Sequence, residues 1–201
     1  MTKKTIGFFG GTFDPPHLGH RILAAEALDQ LKLDRLLWVL TSAPPHKQNQ
    51  YISPLEQRLE LLQAMLGSDP AFLLSRVDID RPAPHYAADT VNLLAGQFPG
   101  ADFYYLMGGD SLHDLPLWHQ PEVFLSGCAG LGVMRRPGDQ VNLAHLESRL
   151  PGISAKTHFI DSPLIEISSK QIRERIQSGR TYRYYLPEAV FQLIHDKRLY
   201  L

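Results

Sequence analysis

Short apolar runs alternate with longer segments of helical periodicity along most of the chain. The apolar runs predict β-strands, and the longer segments predict amphipathic helices. We predict strands at residues 6–9, 36–40, 72–77, 103–107, 128–134 and 155–160. We predict helices at residues 21–32, 53–66, 87–97, 168–177 and 187–197. Strands with little internal alternation, separated by helices, are typical of a parallel sheet covered on both faces, so the chain is predicted to be an α/β protein.

The second predicted helix has a clear start signal. Ser53 is a favourable N-cap, Pro54 suits the first helical position, and Glu56 would complete a capping box with Ser53. The leucines that follow recur at helical spacing and predict the buried stripe: Leu55, Leu59, Leu62 and Leu66.

The composition of the chain indicates which cellular location and which classes of partner to expect. The chain has 201 residues, 44% of them hydrophobic, which predicts a single domain over residues 1–201 with a small helical subregion at 168–201. Its net charge of -1 supplies no global positive field, so we expect no nucleic-acid partner and any phosphate ligand to be small. The single cysteine, Cys128, is expected to be a buried reduced thiol. No signal peptide or membrane-length apolar run is evident, so we expect a cytoplasmic location and no membrane partner.

Polar, phosphate-compatible residues follow several of the predicted strands. They are Gly10-Gly11-Thr12, Pro44-Pro45-His46-Lys47, Gly108-Gly109-Asp110-Ser111 and Arg135-Arg136. In an open parallel sheet, ligands bind beyond the carboxyl ends of the strands. These groups are therefore predicted to meet at one edge of the sheet.

The segment Gly10 to His20 carries the strongest chemical signal. Paired glycines at a strand-to-helix turn let backbone N–H groups approach a ligand closely, and a helix N-terminus favours anions. His17 and His20 are three apart and share one helix face. The turn is predicted to hold a phosphate. Zinc ligation by the two histidines and a purely structural helix start are the alternatives, whereas the dinucleotide and P-loop fingerprints are absent.

Other strand-end residues allow both a functional and a structural interpretation. His46 and Lys47 form either a cationic binding loop or a solvated turn. Asp110 either accepts hydrogen bonds from a ribose diol or caps the short helix that follows it. Trp118 belongs either to the core or to a stacking surface for an aromatic ligand ring.

A second anion-binding helix start is predicted near the C-terminus. Ser168 and Gln171 fit a capping box, and Ser169 and Arg173 lie four residues apart on one face. A hydroxyl and a guanidinium would then flank unpaired N–H groups. The alternative is an ordinary capped amphipathic helix.

Taken together, these motifs resemble a known enzyme family. Gly10 to His20 resembles the G-G-T-F-D-P-x-H-x-G-H signature of bacterial nicotinate-nucleotide adenylyltransferases, which belong to the nucleotidyltransferases with a T/H-x-G-H motif. Further matching segments follow in that family's order: Pro44 to Lys47, Tyr86 with Asp89-Thr90, Gly108 to Ser111, Leu115 to Trp118, Arg135 to Pro137, and Ile167 to Arg173. The resemblance covers nearly the whole chain. It implies a doubly wound, Rossmann-like sheet with a small C-terminal helical region.

The resemblance also implies the reaction and the role of each residue. ATP and nicotinate mononucleotide would give nicotinate adenine dinucleotide and pyrophosphate, assisted by Mg²⁺ held through the ATP phosphates. The implied catalytic residues are His17, His20 and Arg173. The implied ATP-binding residues are Gly10, Gly11, Thr12, Phe13, Gly108, Asp110, Arg136, Ser168 and Ser169. The implied residues for the mononucleotide are Thr12, His46, Lys47, Tyr86, Ala87 and Trp118.

The sequence departs from the family pattern at Ala87, which bears on the choice between acid and amide, and at Lys170, either a cation near the departing pyrophosphate or a solvent-facing side chain. Ala87 stands where relatives commonly have threonine, and Lys170 stands where threonine is frequent. The alternative acceptors are nicotinamide mononucleotide and phosphopantetheine, and a non-catalytic nucleotide-binding module is the alternative from another class.

Overall fold

The computed structural model describes residues 3–42, 51–134, 141–163 and 166–201. Six strands form one sheet: β1 (Thr5–Gly11), β2 (Arg35–Leu40), β3 (Phe72–Ser75), β4 (Asp102–Gly108), β5 (Gly130–Met134) and β6 (Thr157–Ile160). All their pairings are parallel, in the order β3-β2-β1-β4-β5-β6. The predicted α/β class and doubly wound parallel sheet are confirmed.

Helices cover both faces of the sheet. They are α1 (Leu18–Gln30), α2 (Leu55–Leu66), α3 (Ala87–Gln97), α4 (Gly109–Asp114), α5 (Pro121–Gly127), α6 (Leu143–Arg149), α7 (Ile153–Lys156), α8 (Ser169–Gln177) and α9 (Glu188–Asp196). One core cluster includes buried residues of α1, α2, α8 and α9, and the other includes those of α3 to α7. Within the described ranges, none of these helices has the length and apolar character needed to cross a membrane.

The order of the strands places a crevice between β1 and β4. The helix that follows β1, α1, packs in one core cluster, whereas the helix that follows β4, α4, packs in the other cluster, on the opposite face of the sheet. Such a switch point opens a cleft at the carboxyl ends of the two strands, where open α/β sheets bind ligands. The Gly10-Gly11 and Gly108-Gly109 pairs lie at this point.

The start of α2 differs from the predicted one. The helix begins at Leu55 with Pro54 as its N-cap, and no side chain caps it. The buried face consists of Arg58, Leu61, Leu62, Met65 and Leu66, so Leu55 and Leu59 lie at its margin. The predicted Ser53 capping box is wrong because the backbone of Ser53 has other partners. Its N–H bonds to Asp14 Oδ2, and its carbonyl accepts a hydrogen bond from Arg58.

Candidate active site

The cleft at the switch point brings the predicted motifs together. Its volume is about 1590 Å³, which exceeds the several hundred cubic ångströms typical of one drug-sized ligand. Every predicted site residue within the described part of the chain lines it: Gly10, Gly11, Thr12, Phe13, His17, His20, Tyr86, Ala87, Gly108, Asp110, Trp118, Ser168, Ser169 and Arg173. His46, Lys47 and Arg136 lie outside the described residues.

The glycine turn after β1 is shaped by the Phe13 side chain. Phe13 has φ +46°, is buried, and packs edge-on against Phe9 and His20. A Cβ on Gly11 would lie 2.9 Å from the Phe13 ring, which is too close for any larger residue without a shift. The glycine therefore allows the ring to pack against the turn, and Thr12 lines the cleft.

The two motif histidines form the first turn of α1. His17 is the N-cap, and its N–H donates to Nδ1 of His20, the N3 residue, at 3.2 Å. Their rings stack with centroids 3.7 Å apart and planes 24° apart. Because Nδ1 of His20 accepts this hydrogen bond, Nε2 is the ring nitrogen that can carry the proton. Stacked rings direct their lone pairs in nearly parallel planes, an arrangement that does not suit two ligands of one zinc ion.

The second predicted anion site lies against this turn. Ser168 caps α8 by accepting a hydrogen bond from the N–H of Gln171 at 3.2 Å, so the predicted N-cap is confirmed. Arg173 Nη1 donates to the carbonyl of Asp14 at 2.6 Å, and Ser169 Oγ donates to the carbonyl of Pro15 at 2.8 Å. The starts of α1 and α8 are thereby joined directly. Lys170, in contrast, is exposed and 3.8 Å from Glu174.

The opposite side of the cleft is formed by α4 and the loop after it. Asp110 lies in the first turn of α4, whose N-cap is Gly108, so the interpretation of Asp110 as the cap is wrong. Its carboxylate folds over Gly108, where an added Cβ would lie 2.5 Å from Oδ1. The half-buried Trp118 packs edge-on against Tyr105 at 6.0 Å while also lining the cleft.

Tyr86 and Ala87 begin α3 on the same side of the cleft. Tyr86 is the N-cap, and its ring stacks on His119 at 4.0 Å. The first hydrogen bond of this helix runs from the N–H of Thr90 to the carbonyl of Tyr86. The N–H groups of the first turn, including that of Ala87, are thus not used by helical hydrogen bonds and favour an anion.

A buried network holds the start of α3 in place. The Arg81 guanidinium donates to Asp78 Oδ1 at 2.9 Å, to Thr90 Oγ1 at 3.1 Å and to the Tyr86 carbonyl at 3.3 Å. Thr41 at the end of β2 donates to the other Asp78 oxygen at 3.3 Å. This network was not predicted from the sequence, because its members are separated by up to 49 residues, from Thr41 to Thr90.

Arg58 is a further residue that was not predicted, although the sequence pattern around it indicates its burial. Its side chain is 2% exposed, although it carries a charge. It stands at the head of an i, i+3, i+4, i+7, i+8 pattern with Leu61, Leu62, Met65 and Leu66, which is the helical spacing of a buried face. Burial lowers the pKa of the guanidinium, and the nearby Asp14 carboxylate opposes this shift.

The hydrogen bonds of Arg58 join the segments that border the cleft. Nε donates to the Ser53 carbonyl at 2.9 Å, and Nη1 donates to the carbonyls of Thr12 at 3.1 Å and Thr41 at 2.9 Å. Nη2 donates to the Ser42 carbonyl at 3.1 Å. One side chain thus connects the glycine turn, the end of β2 and the segment before α2.

Comparison with known proteins agrees with this geometry. A cytidylyltransferase-like family model matches residues 8–175, from β1 into α8, and so includes both predicted phosphate-binding turns. A probable nicotinate-nucleotide adenylyltransferase of Thermomicrobium roseum is 42% identical over 97% of this chain and 91% of its own length. The nicotinate-nucleotide adenylyltransferase of Bacillus subtilis is 37% identical over 98% of both chains.

The chain belongs to the nicotinate-nucleotide adenylyltransferases.

The fold of this adenylyltransferase also resembles distant solved structures. A nicotinic acid mononucleotide adenylyltransferase of Plasmodium falciparum, solved in complex with NaAD, superimposes with a TM-score of 0.78 at 16% identity. The match covers 98% of this chain and 97% of that one. The similarity at this low identity concerns the fold alone.

Proposed function

We propose that this adenylyltransferase transfers the adenylyl group of ATP to nicotinate mononucleotide, giving nicotinate adenine dinucleotide and pyrophosphate. One observation carries the proposal: the starts of α1 and α8, both predicted to bind anions, meet at residues 14–15 beside a cleft that is also lined by Tyr86 and Trp118. Two phosphate groups and a flat ring are the features that such a cleft recognises.

The proposed reaction is a direct in-line displacement. A phosphate oxygen of the mononucleotide attacks the α-phosphorus of ATP, the new P–O bond forms, and the bond to the bridging oxygen of pyrophosphate breaks. The attacking phosphate is already ionised at neutral pH, so no strong general base is required. The protein's task is to position two anions and to stabilise the charge of the transition state.

Residues on the α1 and α8 side are proposed to act on the ATP phosphates. Thr12 and the backbone of the glycine turn would hold the two reacting phosphates, and His17 and His20 would donate hydrogen bonds to phosphate oxygens. Ser168, Ser169 and Arg173 would bind the departing β- and γ-phosphates. Donors of this kind contribute roughly 3–4 kcal/mol each in comparable sites.

Residues on the α3 and α4 side are proposed to bind the nucleoside parts. Gly108 and Asp110 would hold the ATP ribose, Trp118 would stack on the pyridine ring, and Tyr86 would border it. The N–H groups of the first turn of α3 would attract the nicotinate carboxylate. In this arrangement Ala87 acts through its backbone, so the absence of a threonine hydroxyl does not remove the interaction. His46, Lys47 and Arg136 keep the roles expected from the resemblance: the first two at the mononucleotide phosphate, and Arg136 on the ATP side.

Mg²⁺ fits this site as an ion held through the ATP phosphates. The lining of the cleft includes the imidazoles of His17 and His20, the hydroxyls of Ser168 and Ser169 and the guanidinium of Arg173, groups that suit phosphate oxygens. Mg²⁺ commonly binds through substrate phosphates with few protein ligands. When bound, it would neutralise part of the phosphate charge.

The histidine pair offers a direct test of this function. With ATP, Mg²⁺ and nicotinate mononucleotide, His20→Ala is expected to lower the rate of pyrophosphate release by at least about 100-fold, since it removes a preorganised donor. Circular dichroism and a thermal melt would show whether the fold is retained. His145→Ala, at an exposed position of α6, is the matched control and should leave the rate unchanged. Full activity of His20→Ala would contradict the proposal.

A further inference from the structure

Asp14, within the glycine–histidine motif, has a buried carboxylate with partners from two distant parts of the chain. Its side chain is 3% exposed. Oδ2 accepts a hydrogen bond from the N–H of Ser53 at 3.0 Å, and Oδ1 accepts one from the hydroxyl of Tyr200 at 2.9 Å. Tyr200 is the penultimate residue of the chain. The segment after α9 is thus joined directly to the turn after β1.

The Tyr200 contact is a stable donor–acceptor pair. Burial and the adjacent Asp14 carboxylate raise the pKa of Tyr200, so the phenol stays protonated and donates across the physiological pH range. The positive charge of Arg58 acts on the same carboxylate. A buried carboxylate is costly unless it is paired and hydrogen-bonded, and these three partners satisfy that requirement.

The backbone around Asp14 carries the contact between the two predicted anion sites. The Asp14 carbonyl accepts the hydrogen bond from Arg173, and the Pro15 carbonyl accepts the one from Ser169. His17 lies two residues after Pro15 in the sequence. Whatever fixes Asp14 therefore also fixes the separation between the α1 histidines and the α8 groups.

We propose that Tyr200 is a positioning residue for adenylyl transfer, which acts by holding Asp14 and so sets the spacing of the two phosphate-binding helix starts. The inference rests on the proposed function for its catalytic consequence. A misplacement of about 1 Å far from the chemistry can lower a rate roughly 100-fold. The free energy of one hydrogen bond to a charged group corresponds to about a 10-fold change in an equilibrium or rate constant. We therefore expect the efficiency toward ATP to fall about 10-fold when the hydroxyl is removed.

The effect should be selective for ATP. Ser169 and Arg173, which contact residues 14–15, are proposed to bind ATP phosphates. Trp118 and Tyr86, proposed to bind the pyridine side, belong to elements whose described hydrogen bonds do not involve Asp14. A purely structural role for Tyr200 would lower the melting temperature without such selectivity.

Tyr200→Phe tests the proposal, because it removes only the hydroxyl oxygen. We expect kcat/KM for ATP to fall about 10-fold and the affinity for a non-hydrolysable ATP analogue, measured by calorimetry without acceptor, to fall with it. KM for nicotinate mononucleotide should stay within about 2-fold. Tyr184→Phe is the matched control, since that ring is 78% exposed in the same C-terminal region.

A double-mutant cycle with Asp14→Asn separates the mechanism from a general loss of stability. If Tyr200 acts through Asp14, the two substitutions are non-additive in the efficiency toward ATP. Additive effects, or a lower melting temperature with unchanged ATP affinity in Tyr200→Phe, would overturn the proposal. Failure of the wild-type protein to adenylylate any acceptor would contradict the proposed function instead, while the calorimetric comparison would still test the role of Tyr200.

Discussion

Replacing Arg58 by methionine should strongly destabilise the protein. Methionine approximates the length of arginine but removes every donor. The variant would leave four buried or half-buried backbone carbonyls without the guanidinium, and the Asp14 carboxylate without its nearby positive charge. Leaving a buried acceptor without its partner costs about 1–3 kcal/mol, so with partial relaxation of the four carbonyls we expect a total loss of about 4 kcal/mol.

That loss can be converted to a change in melting temperature. Unfolding entropy is about 2.1 cal/mol/K per residue, which for a chain of this length gives about 0.4 kcal/mol/K. A loss of about 4 kcal/mol therefore lowers the melting temperature by about 10 °C. Arg58→Lys should recover part of this loss, because an ammonium restores the charge but cannot span all four acceptors.

Urea unfolding followed by circular dichroism, together with a thermal melt, measures this effect. Arg76→Met is the matched control. Arg76 is half-exposed and pairs with Asp80 at 2.8 Å on the surface, where an ion pair contributes about 0–1 kcal/mol. A free energy of unfolding for Arg58→Met within about 1 kcal/mol of the wild-type value would refute the assignment of Arg58 as the central buried cation.

Two further predictions concern the buried Cys128 and the half-buried Gly108. Burial raises the pKa of the Cys128 thiol to about 12. Iodoacetamide at pH 8 should therefore modify this thiol only after denaturation, which mass spectrometry would show. Rapid alkylation of the native protein would contradict the burial of Cys128. Because the folded pKa lies above the ordinary value, this thiol's contribution to stability is complete below the ordinary pKa and is lost as pH rises toward 12. Gly108→Ala must displace the Asp110 carboxylate and should raise KM for ATP about 5-fold without changing KM for the acceptor. Gly96→Ala is the control, because a Cβ there meets no atom within 4 Å, and it should leave both KM values unchanged. Equal ATP kinetics in the two variants would exclude Asp110 from the ribose subsite.

The strands and most of the helices could be predicted from the sequence because local patterning determines them. The predicted helix at residues 87–97 agrees with α3 at both ends, and the six predicted apolar runs all contain strands. The short helices α5, α6 and α7 were not predicted, since segments of four to seven residues show little periodicity.

The contacts that join the site were harder to predict because they connect residues far apart in the sequence. The capping interpretation of Ser53 used only its neighbours, whereas in the fold Asp14 and Arg58 bind its backbone. The Tyr200–Asp14 contact spans 186 residues and has no local signal. The motif residues could be found because the two predicted phosphate-binding turns are continuous in the sequence, but the groups that position them could not.

The proposed acceptor can be tested most directly by comparing kcat/KM for nicotinate mononucleotide, nicotinamide mononucleotide and phosphopantetheine with ATP and Mg²⁺. Pyrophosphate release gives the rates, and mass spectrometry identifies the products. Because the start of α3 is proposed to bind the nicotinate carboxylate, nicotinate mononucleotide should be preferred at least about 10-fold and should yield nicotinate adenine dinucleotide. Equal or faster turnover of nicotinamide mononucleotide or phosphopantetheine would contradict the account.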